Sequence, residues 1–444
     1  MSKSNAENRR VLVVAHACHP DESMETRLGW RRAVDASGDF DVTVLHASRY
    51  DADELTSRAL AEGANMSQLR FVPVGSPSLA CLGNLDGFYW AGYRAWHCAA
   101  LRVARKMHQR LPFDLVHQVT YCGYREPGRW WKLGVPFVWG PVGGTQNFPV
   151  RYISQLHPLA AFRELARNAI NHVQLRHCPR VRNAARNATT VIAATRAAQH
   201  DLLRGTGVVC HRLLETGVDT PSTTTDRNLD MSRPFRILWS GRLREWKALP
   251  LLLEALAKCP GDLRYQLRVM GVGSSQRRWQ QLAQRLGVAA HIEWVGWPSY
   301  QESLAHYAWA DAFAFTSLRD TSGTGLLESL AAGTPIIGVD HQGAHDIMTA
   351  ACALPVAVAN PSTTIAGFAT AISQLASDPV MWQRLSRGAR KRAEFYSWHR
   401  LSNELNRYYA KILVTRASHV SSVAAGELAR SVSHNDGTST LLAR

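Results

Sequence analysis

The stretch Arg236-Ile237-Leu238-Trp239-Ser240-Gly241-Arg242-Leu243-Arg244-Glu245-Trp246-Lys247 runs from a short apolar segment into a glycine and a group of cations, and Leu249, Leu251, Leu252, Leu253 and Leu256 follow it. A brief β-rich run, a tight turn and a leucine-rich helix make up one parallel βα unit. The same unit recurs downstream. Strand-like runs at Leu267–Met270, Ile292–Val295, Ala312–Thr316 and Pro335–Val339 are each separated by helical stretches. This rhythm predicts a parallel sheet with crossover helices on both faces.

Upstream, the alternation is present a second time. Val11–Ala15, Val42–Leu45, Phe71–Val74, Leu115–His117, Phe137–Trp139 and Thr190–Ala193 read as strands, with helices near 24–36, 87–110, 155–178 and 196–204. Residues 218–234 break the texture: they are rich in Ser, Thr, Pro and Asp and read as a linker. The expected organisation is therefore one doubly wound α/β domain over 1–217, a linker over 218–234 and a second such domain over 235–396. A terminal helix over 397–415 and a mobile tail over 416–444 complete it. Doubly wound sheets bind ligands beyond the carboxyl ends of their strands, so function is expected in a cleft between the halves.

Composition agrees with two globular domains. The chain has 444 residues, 46% of them hydrophobic, with 14 Trp and only 19% charged residues, which excludes a disordered, collagenous or coiled-coil protein. A formal charge of +16 favours anionic partners. No apolar run is long enough to span a bilayer, and the polar N-terminus lacks a signal-peptide core, so a cytoplasmic location is expected. The eight cysteines are scattered without a Cys-x-x-Cys pair, and no zinc site or disulfide framework is expected.

Two segments carry candidate chemistry. In the first, Arg242 and Lys247 stand five residues apart at a helix start, where they can converge on a phosphate; the competing reading is a solvated basic turn. The second is Ser317–Pro335, in which a strand ends in a loop with Gly323, Gly325 and several hydroxyls before a helix. Free amides at such a helix start cradle anions. Asp320 and Glu328 can accept hydrogen bonds from sugar hydroxyls, although Asp320 as a helix cap and Glu328 as a solvent-facing residue fit the pattern too.

Taken in order, Gly-Arg-Leu-x-x-x-Lys, Gly271-Val272-Gly273, Trp294-Val295-Gly296, an acid eight residues before Glu328 and Ala-Gly-Thr-Pro at 332–335 resemble glycosyltransferase family 4, most strongly over 236–348. The resemblance implies the glycosyltransferase B fold: two Rossmann-like doubly wound α/β domains facing a central cleft. It also implies retaining transfer of a hexose from a nucleotide-diphosphate sugar. By the same resemblance Arg242 and Lys247 hold the donor diphosphate and Glu328 contacts the ribose. Asp320, Ser322, Gly323, Thr324, Gly325, Gly271, Val295 and Gly296 complete the donor site. Asp320 departs from the family's glutamate and is one methylene shorter, by about 1.5 Å. Thr321-Ser322-Gly323 keeps only the last glycine of the usual Gly-Phe-Gly.

The first half resembles the family more loosely. Ala17-Cys18-His19-Pro20 through Gly29-Trp30, and Trp139-Gly140-Pro141-Val142-Gly143-Gly144, are loops expected to face the donor, though tight turns explain the glycines as well. His117 ends a strand where the family places a histidine near the donor sugar, and a direct role is weighed against a structural one.

Residues 151–212 hold ten Arg, no Lys and only Glu164 and Asp201 as acids, with Leu156, Leu159, Phe162, Leu165 and Ile170 interleaved. This fits a basic amphipathic helix resting on an anionic membrane surface, at the inner face of the plasma membrane, or a solvated face packed on the first domain. Nucleic acid is not expected as a partner. Asp39-x-Asp41 and Asp51-x-Asp53 read as surface turns, and neither a metal nor a cofactor is expected.

The resulting expectation is a retaining glycosyltransferase acting on a glycan or lipid-linked acceptor in cell-wall or exopolysaccharide synthesis. The alternatives are an inactive relative serving as a glycan- or nucleotide-binding scaffold, motivated by Asp320, and a nucleotide-sugar epimerase.

Overall fold

The computed structural model of the chain describes residues 9–75, 89–220 and 227–435. The first sheet has seven strands: β1 (Arg10–Ala15), β2 (Asp41–Ala47), β3 (Leu69–Val74), β4 (Leu115–Thr120), β5 (Phe137–Val142), β6 (Thr190–Ala193) and β7 (His211–Arg212). Their order is β3-β2-β1-β4-β5-β6-β7, with each neighbouring pair parallel. The helices on its faces are α1 (Met24–Ala36), α2 (Ala52–Ala61), α3 (Tyr89–Arg110), α4 (Pro158–His177), α5 (Pro179–Asn187) and α6 (Arg196–Thr206).

The second sheet contains β8 (Phe235–Ser240), β9 (Tyr265–Met270), β10 (Ile292–Gly296), β11 (Ala312–Phe315), β12 (Ile336–Val339) and β13 (Ala353–Val356) in the order β10-β9-β8-β11-β12-β13. Its helices are α7 (Leu249–Leu256), α8 (Gln276–Arg285), α9 (Tyr300–Trp309), α10 (Thr324–Ala331), α11 (Gln342–Ile347), α12 (Pro361–Ser377) and α13 (Pro379–Phe395). Strands such as β1, β5, β11 and β12 are buried along nearly their whole length, which is why they read as continuous apolar runs and not as alternating ones. In both sheets the first strand is central and the order reverses beside it, which opens a crevice at the strands' carboxyl ends.

The chain does not end where its second domain ends. A final helix, α14 (Trp398–Asn435), crosses back and inserts Trp398, Leu401, Leu405, Tyr409 and Leu413 into the core beneath α1 and α2. The crossing is laced where Val218 pairs with Ser397: the Val218 amide donates to Tyr396 at 3.0 Å and Trp398 donates to Val218 at 3.2 Å. This helix is longer than the expected 397–415, and residues 416–435 continue it where a tail was expected. Their sequence contains Ala, Glu, Leu and Arg and no Pro, a composition that sustains a helix without an apolar stripe strong enough to announce one. Within the expected linker residues 221–226, and at the end of the expected tail residues 436–444, lie outside the described residues.

Candidate active site in the interdomain cleft

Glycines bring the strand ends of the second domain together. Gly241 and Gly271 have φ of 154° and 151°, and a Cβ on Gly271 would lie 1.9 Å from the Gly241 carbonyl oxygen. A Cβ on Gly273 would lie 2.3 Å from the Leu243 carbonyl oxygen. The Gly271 amide donates to Gly296 at 2.6 Å. Gly271 and Gly296 thus pack backbone on backbone and fix the Gly241–Lys247 turn, while Val295 lies partly buried at the end of β10. Glu245 braces the same turn, accepting from Ser275 at 2.8 Å and from Arg278 at 2.5 Å.

At the end of this turn the Lys247 ammonium is ion-paired with the Asp320 carboxylate. Two residues expected to hold different parts of a donor are therefore each other's partners in this structure. Asp320 also accepts from the Thr321 amide at 3.1 Å, and its own amide donates to Gln342 at 3.0 Å. Arg242 is exposed, and its guanidinium has no partner among the described residues.

Gly323 caps α10 with φ of +68°, and no side chain caps the helix, so the first amides at Thr324 and Gly325 keep their anion-binding character. Gly325 has a packing reason as well: a Cβ there would sit 2.8 Å from the Tyr307 hydroxyl. Glu328, one turn further on, is half-buried, and burial pushes its carboxyl upward while nearby Arg27 opposes the shift.

The two domains meet on the loop before α10. Thr321 accepts from the Gly144 amide at 3.3 Å and donates to Gln146 at 3.2 Å. A Cβ on Gly143 would come within 2.5 Å of the Thr321 methyl, so this glycine pair admits the other domain's loop. Ser322 is buried and donates to Glu215 at 2.6 Å, which turns its hydroxyl toward the first domain. Arg319 makes a two-pronged bond to Glu164 on α4 at 2.8 and 2.9 Å. From α1, Arg27 reaches Asp219 at 2.5 Å, with its guanidinium 4.7 Å from the centre of the Tyr300 ring on α9.

His117 lies inside the first domain. It is fully buried in β4, with Nε2 2.5 Å from the Gly140 carbonyl oxygen and Nδ1 bonded to the Tyr409 hydroxyl of α14. Burial first, with the Arg32 charge adding to it, lowers it to about 3, so the ring is neutral and both nitrogens are engaged within the core. The Asp-x-Asp pairs belong to the surface: Asp51 caps α2 through the Asp53 amide at 2.7 Å, and Asp41 pairs with Arg10.

Two cleft carboxylates carry no motif. Glu25, at the start of α1, accepts from the Cys122 amide at 3.1 Å and is pushed upward by burial. Glu215 is raised to about 7 by burial, with the Glu25 and Asp320 charges acting in the same direction and the Ser322 hydroxyl against it. The sequence signals were faint: Glu215 is a single acid after Leu213-Leu214, and Glu164 is one of two acids in the Arg-rich segment.

Residues 224–392 match the family model described as glycosyl transferases group 1. This segment is a group 1 glycosyl transferase domain. The chain resembles the lipopolysaccharide core biosynthesis glycosyltransferase LpsE of Rhizobium meliloti (strain 1021), with 30% identity over 151 residues covering 34% of this chain and 42% of that protein. The chain spans half the length, or less, of curated relatives it matches. Among solved structures, sucrose-phosphate synthase from Thermosynechococcus elongatus aligns with a TM-score of 0.65 at 16% identity, over 92% of this chain and all of that one. Anabaena Alr3699/HepE in complex with UDP and glucose aligns with a TM-score of 0.56 at 16% identity, over 91% of this chain and all of that one. At these identities the likeness is one of fold, and it extends across both domains. The group 1 domain and the Rossmann-like domain facing it form the glycosyltransferase B fold.

Proposed function

We propose that the chain is a retaining hexosyltransferase that moves a sugar from a nucleotide-diphosphate donor to a glycan or lipid-linked acceptor in cell-envelope or exopolysaccharide synthesis. The observation that carries this reading is the convergence of Lys247, Asp320 and the uncapped start of α10 on one side of the cleft, within the group 1 domain. A diphosphate arriving there draws Lys247 away from Asp320, freeing the carboxylate for the sugar hydroxyls. Arg242, exposed on the same turn, adds the second cation.

The catalytic contribution is electrostatic. As the bond between the anomeric carbon and the phosphate oxygen breaks, negative charge grows on the diphosphate, and fixed cations and amides stabilise it without reorganising. The acceptor hydroxyl forms the new bond on the same face and gives its proton to the departing phosphate oxygen, as the family resemblance implies. Closure of the first domain over Thr321 and Ser322 excludes water from the bond being exchanged.

The test is nucleotide release from a panel of UDP-, GDP- and ADP-sugars, beginning with UDP-glucose. Lys247→Ala and Arg242→Ala are each expected to lower kcat/KM by roughly 10²- to 10³-fold while leaving Tm within a few degrees. Near-normal turnover in both variants removes the assignment. The Lys247–Asp320 pair also favours a second reading, a non-catalytic binding scaffold. Donor that raises Tm without releasing nucleotide in any acceptor mixture selects that reading.

A further inference from the structure

Helix α4 is inverted over most of its length for a helix packed on a domain, because apart from Leu175 near its end its protein-facing side is polar, and its outer side is apolar. On the inner side Glu164 is buried and engaged by Arg319. Asn171 is fully buried and donates to the carbonyls of Thr145 and Gln146 at 3.2 and 3.3 Å, and Asn168 brackets the backbone of Phe148 at 2.9 and 2.8 Å. On the outer side Leu159, Phe162 and Val173 are 64%, 70% and 56% exposed, and Leu165 and Ile170 are exposed beside them.

The positions 159, 162, 166, 170 and 173 advance by threes and fours, so they form one stripe along the helix. A stripe of large apolar side chains on one helix, backed by a satisfied polar face, marks an interaction surface and not a misplaced core. Arg163 and Arg176 are exposed along its margins, and the only acid of the helix is the buried Glu164. A second copy docking here through a two-fold axis would meet its own arginines with no acid on the face to answer them. A layer of phosphates answers them directly.

We propose that this face of α4 docks on an anionic lipid bilayer, with Leu159, Phe162 and Val173 in the acyl boundary and Arg163 and Arg176 on lipid phosphates. The inner face of the same helix holds the cleft: Arg167 donates to the Gly144 carbonyl at 3.4 Å, and Glu164 holds Arg319 beside Asp320. Docking therefore brings the cleft to the lipid surface, where an amphiphilic acceptor presents its headgroup. The inference rests on the proposed function only for the nature of that acceptor, not for the binding itself.

The experiment is co-sedimentation of the full chain with vesicles of phosphatidylcholine alone and of phosphatidylcholine with about one third phosphatidylglycerol, at low and high salt. The chain is expected to partition onto the anionic vesicles and to be partly released by salt. Leu159→Ser/Phe162→Ser/Val173→Ser and, separately, Arg163→Glu/Arg176→Glu are each expected to reduce partitioning by about tenfold or more with Tm retained. Phe162→Ser alone serves if the triple variant is unstable. Three results overturn the inference: wild type that ignores anionic vesicles, apolar variants that bind as well as wild type, or a concentration-dependent dimer that the apolar variants abolish. Because binding is read without donor, its failure is separate from a failure of glycosyl transfer.

Discussion

Glu215 sits where burial and two neighbouring carboxylates resist its ionisation, and its carboxylate accepts from the Ser322 hydroxyl across the cleft. Its ordinary value is 4.5 and in the folded chain it is raised to about 7. Between those limits the folded state holds the proton more tightly than the unfolded one, so this residue's contribution to stability falls as the pH rises through that window and is lowest above it. Glu215→Gln keeps an acceptor for Ser322 and cannot ionise. It is expected to raise Tm at pH 8, by roughly 2–4 °C for each kcal/mol relieved, and to gain little at pH 5. Melting curves at the two pH values check this, and a Tm difference that does not change with pH counts against it. What the sequence made legible is placement that follows from local order: Lys247 at the end of its glycine turn, and the amides at the start of α10. The partners of His117 and Ser322 were not legible, for a common reason. Each has the right chemistry in the right loop or strand, but the direction of its side chain is set by a partner more than a hundred residues away, Tyr409 in one case and Glu215 in the other.

At the level of elements, the strands of both sheets were readable because burial on both faces leaves uninterrupted apolar runs. The strand β13 was hidden by Pro355, which is tolerated because β13 lies at the sheet edge, and β7 was hidden by being two residues long. The loops between elements carried less information in sequence than in space. Gly271 illustrates this: the sequence resemblance puts it in the donor site, and the structure adds that a residue without a side chain there lets β9 end against β8. Gly271→Ala introduces both a backbone strain and a collision with the Gly241 carbonyl, and should cost about 2–4 kcal/mol. Urea unfolding of the variant should show a lowered midpoint, and an unchanged midpoint would mean that the strand ends are loose enough to admit a methyl group.

Across the whole molecule, the two domains are joined by two passages of chain, one through Val218 and one through Ser397, pinned to each other at the same point. The second passage delivers α14, whose Leu401, Leu405, Tyr409 and Leu413 fill the core under α1 and α2. Sequence periodicity identified a helix there but not its destination, since an apolar stripe says that a surface is buried without saying against what. A fragment ending at Thr220 therefore lacks part of its own core. It is expected to unfold at lower urea than the same fragment carrying residues 398–416 on a flexible connector, as circular dichroism would record. Equal stability of the two would place α14 outside the folding unit. The return of α14 has a further consequence for the chain as a covalent object. A single cut between Thr220 and Arg227 produces two pieces, but the second still carries the helix that the first needs, so a nicked molecule stays clasped and the cleft outlives the bond that links its two walls.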